Sequence, residues 1–166
     1  LGRCVYGLQK YTSSRCFSVL TPQQLVENIG FNRKQGKLAE TKFDNLSVSV
    51  GANDSAHVAN IKLNRPDKGN AFNMQLWEEY KKVFQIAGSD ENIRAVVLSG
   101  AGKHFSTGMD LSVFKEMNNV IDKESCPGRQ RETIANHIQY FQDCVSAAEK
   151  CPVPVIACVD GYCVGG

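Results

Sequence analysis

The sequence lacks a long hydrophobic run, and it lacks the cysteine and histidine spacings that hold disulfides or metals. Its longest apolar stretch, residues 151–159, contains two prolines and falls well short of the roughly 18 residues that a membrane-spanning helix needs. Seven cysteines are present, an odd number without any C-x-x-C pair, and only three histidines accompany them. The sequence therefore predicts no membrane span, no disulfide framework and no metal site.

Nucleotide- and nucleic-acid-binding patterns are also missing. The triplet Gly102-Lys103-His104 lacks the upstream glycine and the following Ser or Thr of a P-loop, and no G-x-G-x-x-G occurs. Residues 38–166 contain thirteen basic and sixteen acidic side chains, so this part of the chain is weakly acidic. Because a phosphate-tracking surface needs clustered positive charge, we expect no nucleic-acid partner.

Positive charge is concentrated in the first 37 residues, which hold six basic side chains and one acidic one. Residues 1–26 contain no Asp or Glu, but they contain Arg3, Lys10 and Arg15 and a hydroxyl-rich run at residues 12–14. That composition is typical of a mitochondrial transit peptide, so we expect residues 1–37 to be a leader with a linker and the protein to lie in the mitochondrial matrix. A disordered tail without a targeting role is the alternative.

The remaining chain has the balance of a globular domain with one core, since 42% of all residues are hydrophobic and 22% are charged. Apolar side chains alternate in some segments and recur at helical spacing in others. The run at 95–98 predicts a strand covered on both faces, and the run at 155–159 predicts another buried strand. We expect Cys151, Cys158 and Cys163 to be core thiols. The predicted elements are strands over 46–50 and 57–63 forming an antiparallel pair, a helix over 73–87 that Asn73 can cap, a strand over 95–98, helices over 110–117 and 131–149, and a strand over 155–159.

Three segments carry more information than composition does. They are LNRPDKGNAFN at residues 63–73, SGAGKHFSTGMDL at residues 99–111, and PVPVIACVDGYCVGG at residues 152–166. In this order and spacing they resemble the enoyl-CoA hydratase/isomerase (crotonase) superfamily over residues 43–166, and within it most resemble the Δ3,5-Δ2,4-dienoyl-CoA isomerases. The resemblance implies an α/β fold built as a repeated ββα spiral, with residues 43–166 forming its N-terminal part and the C-terminal part missing.

The resemblance also implies the site. The backbone amides of Met109 and Gly166 would form an oxyanion hole, for which small neighbours such as Gly108 allow a thioester to approach closely. Ala71 would meet the adenine of CoA. Asp110 is also explained as a helix cap, without any part in catalysis. The candidate substrate-binding residues are Ala71, Thr107, Gly108, Met109, Asp110, Leu111 and Gly166.

By the same resemblance, the parent protein would be an isomerase of fatty-acid β-oxidation that converts 3,5-dienoyl-CoA to 2,4-dienoyl-CoA through a dienolate. Its acid and base carboxylates would follow Gly166, so we expect residues 1–166 alone to be inactive. The family implies an acyl-CoA substrate, no cofactor besides the CoA of that substrate, and a homotrimer or homohexamer. The alternatives are an enoyl-CoA hydratase and a catalytically silent acyl-CoA-binding module. A peroxisomal location in addition stays open.

Overall fold

A computed structural model describes residues 38–51 and 57–165, all of which lie in the compact unit Arg33–Gly166. Within these residues, four strands form one sheet: β1 (Leu46–Val50), β2 (Val58–Leu63), β3 (Ala95–Gly100) and β4 (Val155–Cys158). The strands lie in chain order; β1 and β2 are antiparallel, whereas β2, β3 and β4 run parallel. The described helices are α1 (Met74–Ser89), α2 (Leu111–Ile121) and α3 (Pro127–Glu149), and short 3-10 turns cover Leu38–Glu40 and Pro66–Lys68.

One face of the sheet forms the core. The β1–β2 register pairs Leu46 with Leu63 and Val48 with Ile61, and the β2–β3 register pairs Ile61 with Leu98. Since alternate side chains of a strand point to opposite faces, these apolar residues share one side of the sheet. Helix α1 contributes Leu76, Trp77, Val83, Phe84 and Ala87 to the same buried cluster.

Helices α1 and α2 begin where polar side chains satisfy free amides. Asn73 Oδ1 accepts from Leu76 N at 2.9 Å at the start of α1, and Asp110 Oδ1 accepts from Ser112 N at 3.1 Å at the start of α2. Both caps were predicted and are confirmed. Helix α3 begins at Pro127, four residues earlier than the sequence predicted, because proline fits the first turn of a helix, where no amide partner is needed.

The predicted elements are confirmed in type, with small differences in their ends. The antiparallel pair is present, and its connecting turn lies outside the described residues except for Gly51. Helix α1 runs two residues past 87, through Gly88, where Pro152 packs so closely that a Cβ would lie 2.5 Å from its Cδ. Helix α2 runs four residues past the predicted end at 117.

Several burial predictions are wrong. In β3, Val96 and Leu98 are buried, but Ala95 and Val97 on the opposite face are only partly covered. In β4, which was expected to be buried, Ile156 is 55% exposed. An unbroken apolar run does not show which of its two faces is covered, and at β4 the second face is open among the described residues.

The cysteine prediction fails for the same reason. Cys158 and Cys163 are exposed and Cys151 is half-buried, whereas the fully buried thiol belongs to Cys144 on α3. Helical spacing places Cys144 three residues after Phe141, the other buried residue of that helix.

Candidate active site

The loop that follows β3 is held by hydrogen bonds at almost every backbone amide between residues 105 and 110. The exception is Met109, whose amide has no hydrogen-bond partner among the described residues. The five satisfied amides are Phe105 N to Asp160 O (2.8 Å), Ser106 N to Tyr162 O (3.0 Å), Thr107 N to Gly69 O (2.9 Å), Gly108 N to Ser106 Oγ (3.1 Å) and Asp110 N to Phe72 O (2.9 Å).

The direction of the Met109 N–H follows from its own peptide group. The carbonyl of that group belongs to Gly108 and accepts from Phe72 N at 2.8 Å. The described peptide bonds are all trans, so the carbonyl and the N–H of one peptide point in opposite directions. The Met109 N–H is therefore directed away from Phe72 and is available to an acceptor.

Gly108 brings this loop against the third sequence motif. Its φ is +97°, and a Cβ at this position would lie 3.0 Å from Gly165 O and 3.1 Å from Val164 O. A side chain would therefore be strained by the backbone conformation and would press on the neighbouring carbonyls. The two glycine motifs thus meet at this point, and Gly166, the second predicted donor, lies outside the described residues.

Asp110 and Arg65 join the loop to the first motif. The Arg65 guanidinium donates to Asp110 Oδ2 at 3.1 Å and also to the carbonyl of Ala71. The backbone hydrogen bond from Ser112, with a further contribution from Arg65, lowers the pKa of the Asp110 carboxyl below its usual value. Asp110 is thus an ionised helix cap and ion-pair partner, which confirms the structural explanation of this carboxylate.

Two adjoining cavities lie between the loop and α3. The larger has a volume of about 430 Å³ and is lined by Met109, Ile138, Phe141, Gln142, Val145 and Ser146. The smaller, of about 180 Å³, is lined by Phe72, Trp77, Tyr80, Phe105, Ser106, Val145, Cys163, Val164 and Gly165. Val145 belongs to both. In the part of the chain that the structure describes, neither lining includes an Asp or Glu, so these described walls suit an apolar chain and offer no carboxylate for proton transfer.

The aromatic side of the smaller cavity is rigid and uncharged. The Phe72 ring lies 4.7 Å from that of Trp77 and 5.6 Å from that of Tyr80, measured between centroids. Burial raises the pKa of Tyr80 to about 12, so its hydroxyl stays protonated at neutral pH. The cavity therefore places an apolar wall near Met109 without a charge that would compete with a developing oxyanion.

The three histidines each contact neighbouring groups of the fold. His104 Nδ1 accepts from Tyr162 N at 3.3 Å, and the two rings stack with centroids 4.5 Å apart. His57 Nδ1 contacts Asn92 O, and His137 Nδ1 contacts Thr133 O. Among the described residues, no group of three His, Cys, Asp or Glu side chains is arranged to hold a metal ion.

The structure gathers most of the predicted site around one loop. Thr107, Gly108, Met109 and Asp110 are consecutive, and the segment containing Ala71 is joined to them by a parallel bridge between Phe72 and Met109. Leu111 is 80% exposed as the first residue of α2.

The predicted site residues did not include Ser106, Asn70 or the α3 residues that line the two cavities. Asn70 was detectable in part, because Gly-Asn is a turn signal and Asn70 has a φ of +56°. Ser106 Oγ donates to Asn70 O, and Asn70 Nδ2 donates to Ala101 O and His104 O; because these contacts join residues more than 30 positions apart, local patterns could not predict them.

In the part of the chain that the structure describes, no helix combines the length and apolar character that crossing a bilayer requires.

The chain is similar to known proteins over most of its length. A family model described as enoyl-CoA hydratase/isomerase matches residues 53–166. A mitochondrial Delta(3,5)-Delta(2,4)-dienoyl-CoA isomerase of Rattus norvegicus is 42% identical over 134 residues, covering 78% of this chain and 38% of the relative. A peroxisomal isomerase of the same name from Arabidopsis thaliana is 32% identical over 117 residues, covering 70% of this chain and 42% of the relative.

Solved structures agree with this similarity. An enoyl-CoA hydratase/carnithine racemase from Magnetospirillum magneticum matches with a TM-score of 0.60 and 28% identity, covering 75% of this chain and 42% of that one. The chain thus spans about two fifths of the length of the relatives it matches. The crotonase-like α/β fold expected from the motifs is confirmed. On this evidence the chain belongs to the enoyl-CoA hydratase/isomerase family.

Proposed function

We propose that the whole protein is a dienoyl-CoA isomerase that converts 3,5-dienoyl-CoA to 2,4-dienoyl-CoA in fatty-acid β-oxidation. The observation that carries the proposal is the Met109 amide, which lacks a partner among the described residues although its neighbours are all bonded. Relatives with this activity in their names add support.

The chemistry explains why a free amide matters. Removing a proton beside a thioester carbonyl places negative charge on the carbonyl oxygen, and the rate depends on donors already aimed at that oxygen. Met109 N–H would be one such donor, and we propose the amide of Gly166 as the other. Because both groups belong to the backbone, they need no side-chain motion when charge develops.

The surrounding residues would hold the substrate. The two cavities that share Val145 would receive the acyl chain, since the larger one is lined by Met109 and the linings of both are largely apolar. Thr107, Gly108, Asp110 and Leu111 would line the thioester side of the loop, and Ala71 would meet the adenine of CoA. No cofactor other than the CoA of the substrate is proposed.

Proton transfer would depend on other parts of the protein. Neither cavity is lined by a carboxylate among the described residues, and Asp110 is already engaged by Arg65 and Ser112. We therefore propose that the acid and base carboxylates lie outside the described residues and that residues 1–166 alone do not turn over substrate.

The names of two relatives and the composition of the first residues bear on location. The names of the Rattus norvegicus and Arabidopsis thaliana relatives place those proteins in mitochondria and peroxisomes, respectively. Together with the acid-free composition of residues 1–26, these names support a mitochondrial matrix location, with a peroxisomal one in addition remaining open. A homotrimer or homohexamer is the expected assembly.

The first test is an assay of the whole protein on two substrates. A 3,5-dienoyl-CoA reports isomerisation through the absorbance of the conjugated product, and a 2-enoyl-CoA reports hydration. Isomerisation as the faster reaction supports the proposal. Hydration alone would favour the hydratase, and binding without either reaction would favour a silent acyl-CoA-binding module.

A pair of glycine variants tests the loop itself. Gly108→Ala places a methyl group 3.0 Å from Gly165 O, so we expect kcat to fall by about 10² to 10³, the effect of losing one oxyanion donor. Gly102→Ala is the matched control, because Gly102 also has a positive φ, +80°, and its Cβ would lie 3.0 Å from Pro66 Cβ. Equal losses of kcat in the two variants would contradict a role for the Met109 loop in stabilising the oxyanion.

A further inference from the structure

Ser106 contacts both segments that are proposed to carry the oxyanion donors. Its backbone pairs with the third motif, since Ser106 N donates to Tyr162 O and Val164 N donates to Ser106 O, each at 3.0 Å. Its side chain pairs with the Met109 loop, since Gly108 N donates to Ser106 Oγ at 3.1 Å. One buried residue, 5% exposed, therefore joins the two sides of the site.

The side-chain contact acts on the peptide that precedes the Met109 amide. Ser106 Oγ fixes the N–H of Gly108, and Phe72 N fixes the carbonyl of Gly108. Glycine is the residue with the greatest backbone freedom, so without these two hydrogen bonds the φ and ψ angles of Gly108 would vary. With both peptide groups held, the direction of the Met109 N–H is determined.

The hydroxyl of Ser106 is itself held by a rigid acceptor. Ser106 Oγ donates to Asn70 O at 3.2 Å, and Asn70 is fully buried. The Asn70 side chain donates to Ala101 O at 2.9 Å and to His104 O at 2.7 Å. Because its single proton is committed to Asn70, Ser106 is not placed to act as a nucleophile or acid, although it lines the smaller cavity.

We propose that Ser106 is a positioning residue, whose hydroxyl sets the direction of the Met109 amide relative to the segment that leads to Gly166. This inference rests on the proposed oxyanion hole. It adds a side chain to a site that is otherwise made of backbone groups, and it gives that side chain no contact with the reacting atoms.

The test is a series of substitutions at Ser106 in the whole protein. For Ser106→Ala we expect kcat to fall about tenfold, because a donor is misdirected and not removed, while KM changes by less than about twofold. Ser106→Thr retains a hydroxyl and is expected to keep kcat within about threefold of the natural protein. Ser106→Cys has nearly the same shape but a weak donor and acceptor, so its kcat should fall between those of the other two.

A spectroscopic measurement separates positioning from general destabilisation. Donors aimed at a thioester oxygen weaken its C=O bond, so infrared difference spectra of bound saturated acyl-CoA should show a carbonyl band shifted to lower frequency. We expect Ser106→Ala to lose part of that shift and Ser106→Thr to keep it. Asp90→Ala is the control, because Asp90 is buried and accepts from Asn92 N at the other end of α1, so its loss should lower stability without changing kcat or the band.

The outcomes for Ser106 and for the proposed function are distinct. If the natural protein is inactive on both substrates and shows no band shift, the proposed function fails. If it is active and Ser106→Ala keeps kcat and the shift, the positioning role is overturned while the function stands. Should Ser106→Ala fail to fold, a Ser106→Cys variant as active as Ser106→Thr would overturn the role.

Discussion

Helices α1 and α3 both carry an apolar stripe, but they use it differently. The 16-residue helix α1 buries six residues, including Leu76, Trp77 and Phe84, whereas the 23-residue helix α3 buries only Phe141 and Cys144. Ile138 and Val145, on α3, are each 49% exposed, and both line the larger cavity beside Met109. The comparison shows that an apolar stripe of the same period completes the core in α1 and lines a cavity in α3.

The largest expected difference between the helices is in stability. Phe84 on α1 is 1% exposed, so Phe84→Ala should lower the free energy of unfolding by about 3 to 5 kcal/mol through lost burial and the cavity it leaves. Ile134 on α3 is 37% exposed, so Ile134→Ala should cost less than about 1 kcal/mol. Urea unfolding of the whole protein, followed by circular dichroism, measures both.

An equal loss of unfolding free energy in Phe84→Ala and Ile134→Ala would contradict the difference between α1 and α3. It would show that Ile134 is buried in the whole protein, and that the part of the α3 stripe at Ile134, outside both cavity linings, belongs to a core. A small loss for Phe84→Ala would instead mean that α1 tolerates cavities, contrary to its burial against the sheet.

Local signals explain why most of the fold was predictable. Alternation over 46–50, the cap at Asn73 and the cap at Asp110 each depend on residues close together in sequence, and the structure confirms all three. The covering of a face depends on distant segments. The exposure of Ile156 and the burial of Cys144 were therefore not encoded in any local pattern.

The candidate site divides in the same way. The motif resemblance predicted Gly108 and Met109 as site residues, because they belong to one continuous segment of the chain. The contact between Ser106 and Asn70 joins residues 36 positions apart, and the cleft formed with Val145 spans a similar separation. Such contacts depend on how the loop and the helix pack together, which the sequence pattern does not specify.

A substitution that narrows the two cavities tests the role of α3 through the preference for acyl-chain length. Val145 lies in the wall shared by both cavities, so Val145→Phe should reduce kcat/KM for a long acyl chain by about tenfold relative to a short one, because the added ring occupies space needed by several methylenes. Competition between a long and a short dienoyl-CoA measures the ratio. Ile134→Phe, on the same helix but lining neither cavity, is the control and should leave it unchanged. An unaltered ratio in Val145→Phe would contradict the placement of the acyl chain beside α3.

The smallest expected effect compares the caps that begin α1 and α2. Replacing Asn73 or Asp110 by Ala should each cost about 1 kcal/mol at neutral pH, because one helix amide loses its acceptor. Only Asp110 is charged, and its pKa is lowered in the folded protein from the ordinary value of 3.8. Its carboxylate therefore stabilises the fold fully above that ordinary value, and the contribution is lost as the pH falls through the lowered pKa.

The cost of Asp110→Ala should accordingly shrink in acid, whereas the cost of Asn73→Ala should stay constant. Urea unfolding at neutral pH and at a pH below the lowered pKa of Asp110 gives both differences. Asp110→Asn separates the charge from the cap, since the amide can still accept from Ser112 but cannot pair ionically with Arg65. A cost for Asp110→Ala that does not change with pH would mean that the Arg65 ion pair is screened by solvent, so that Asp110 stabilises the loop only as a neutral cap would.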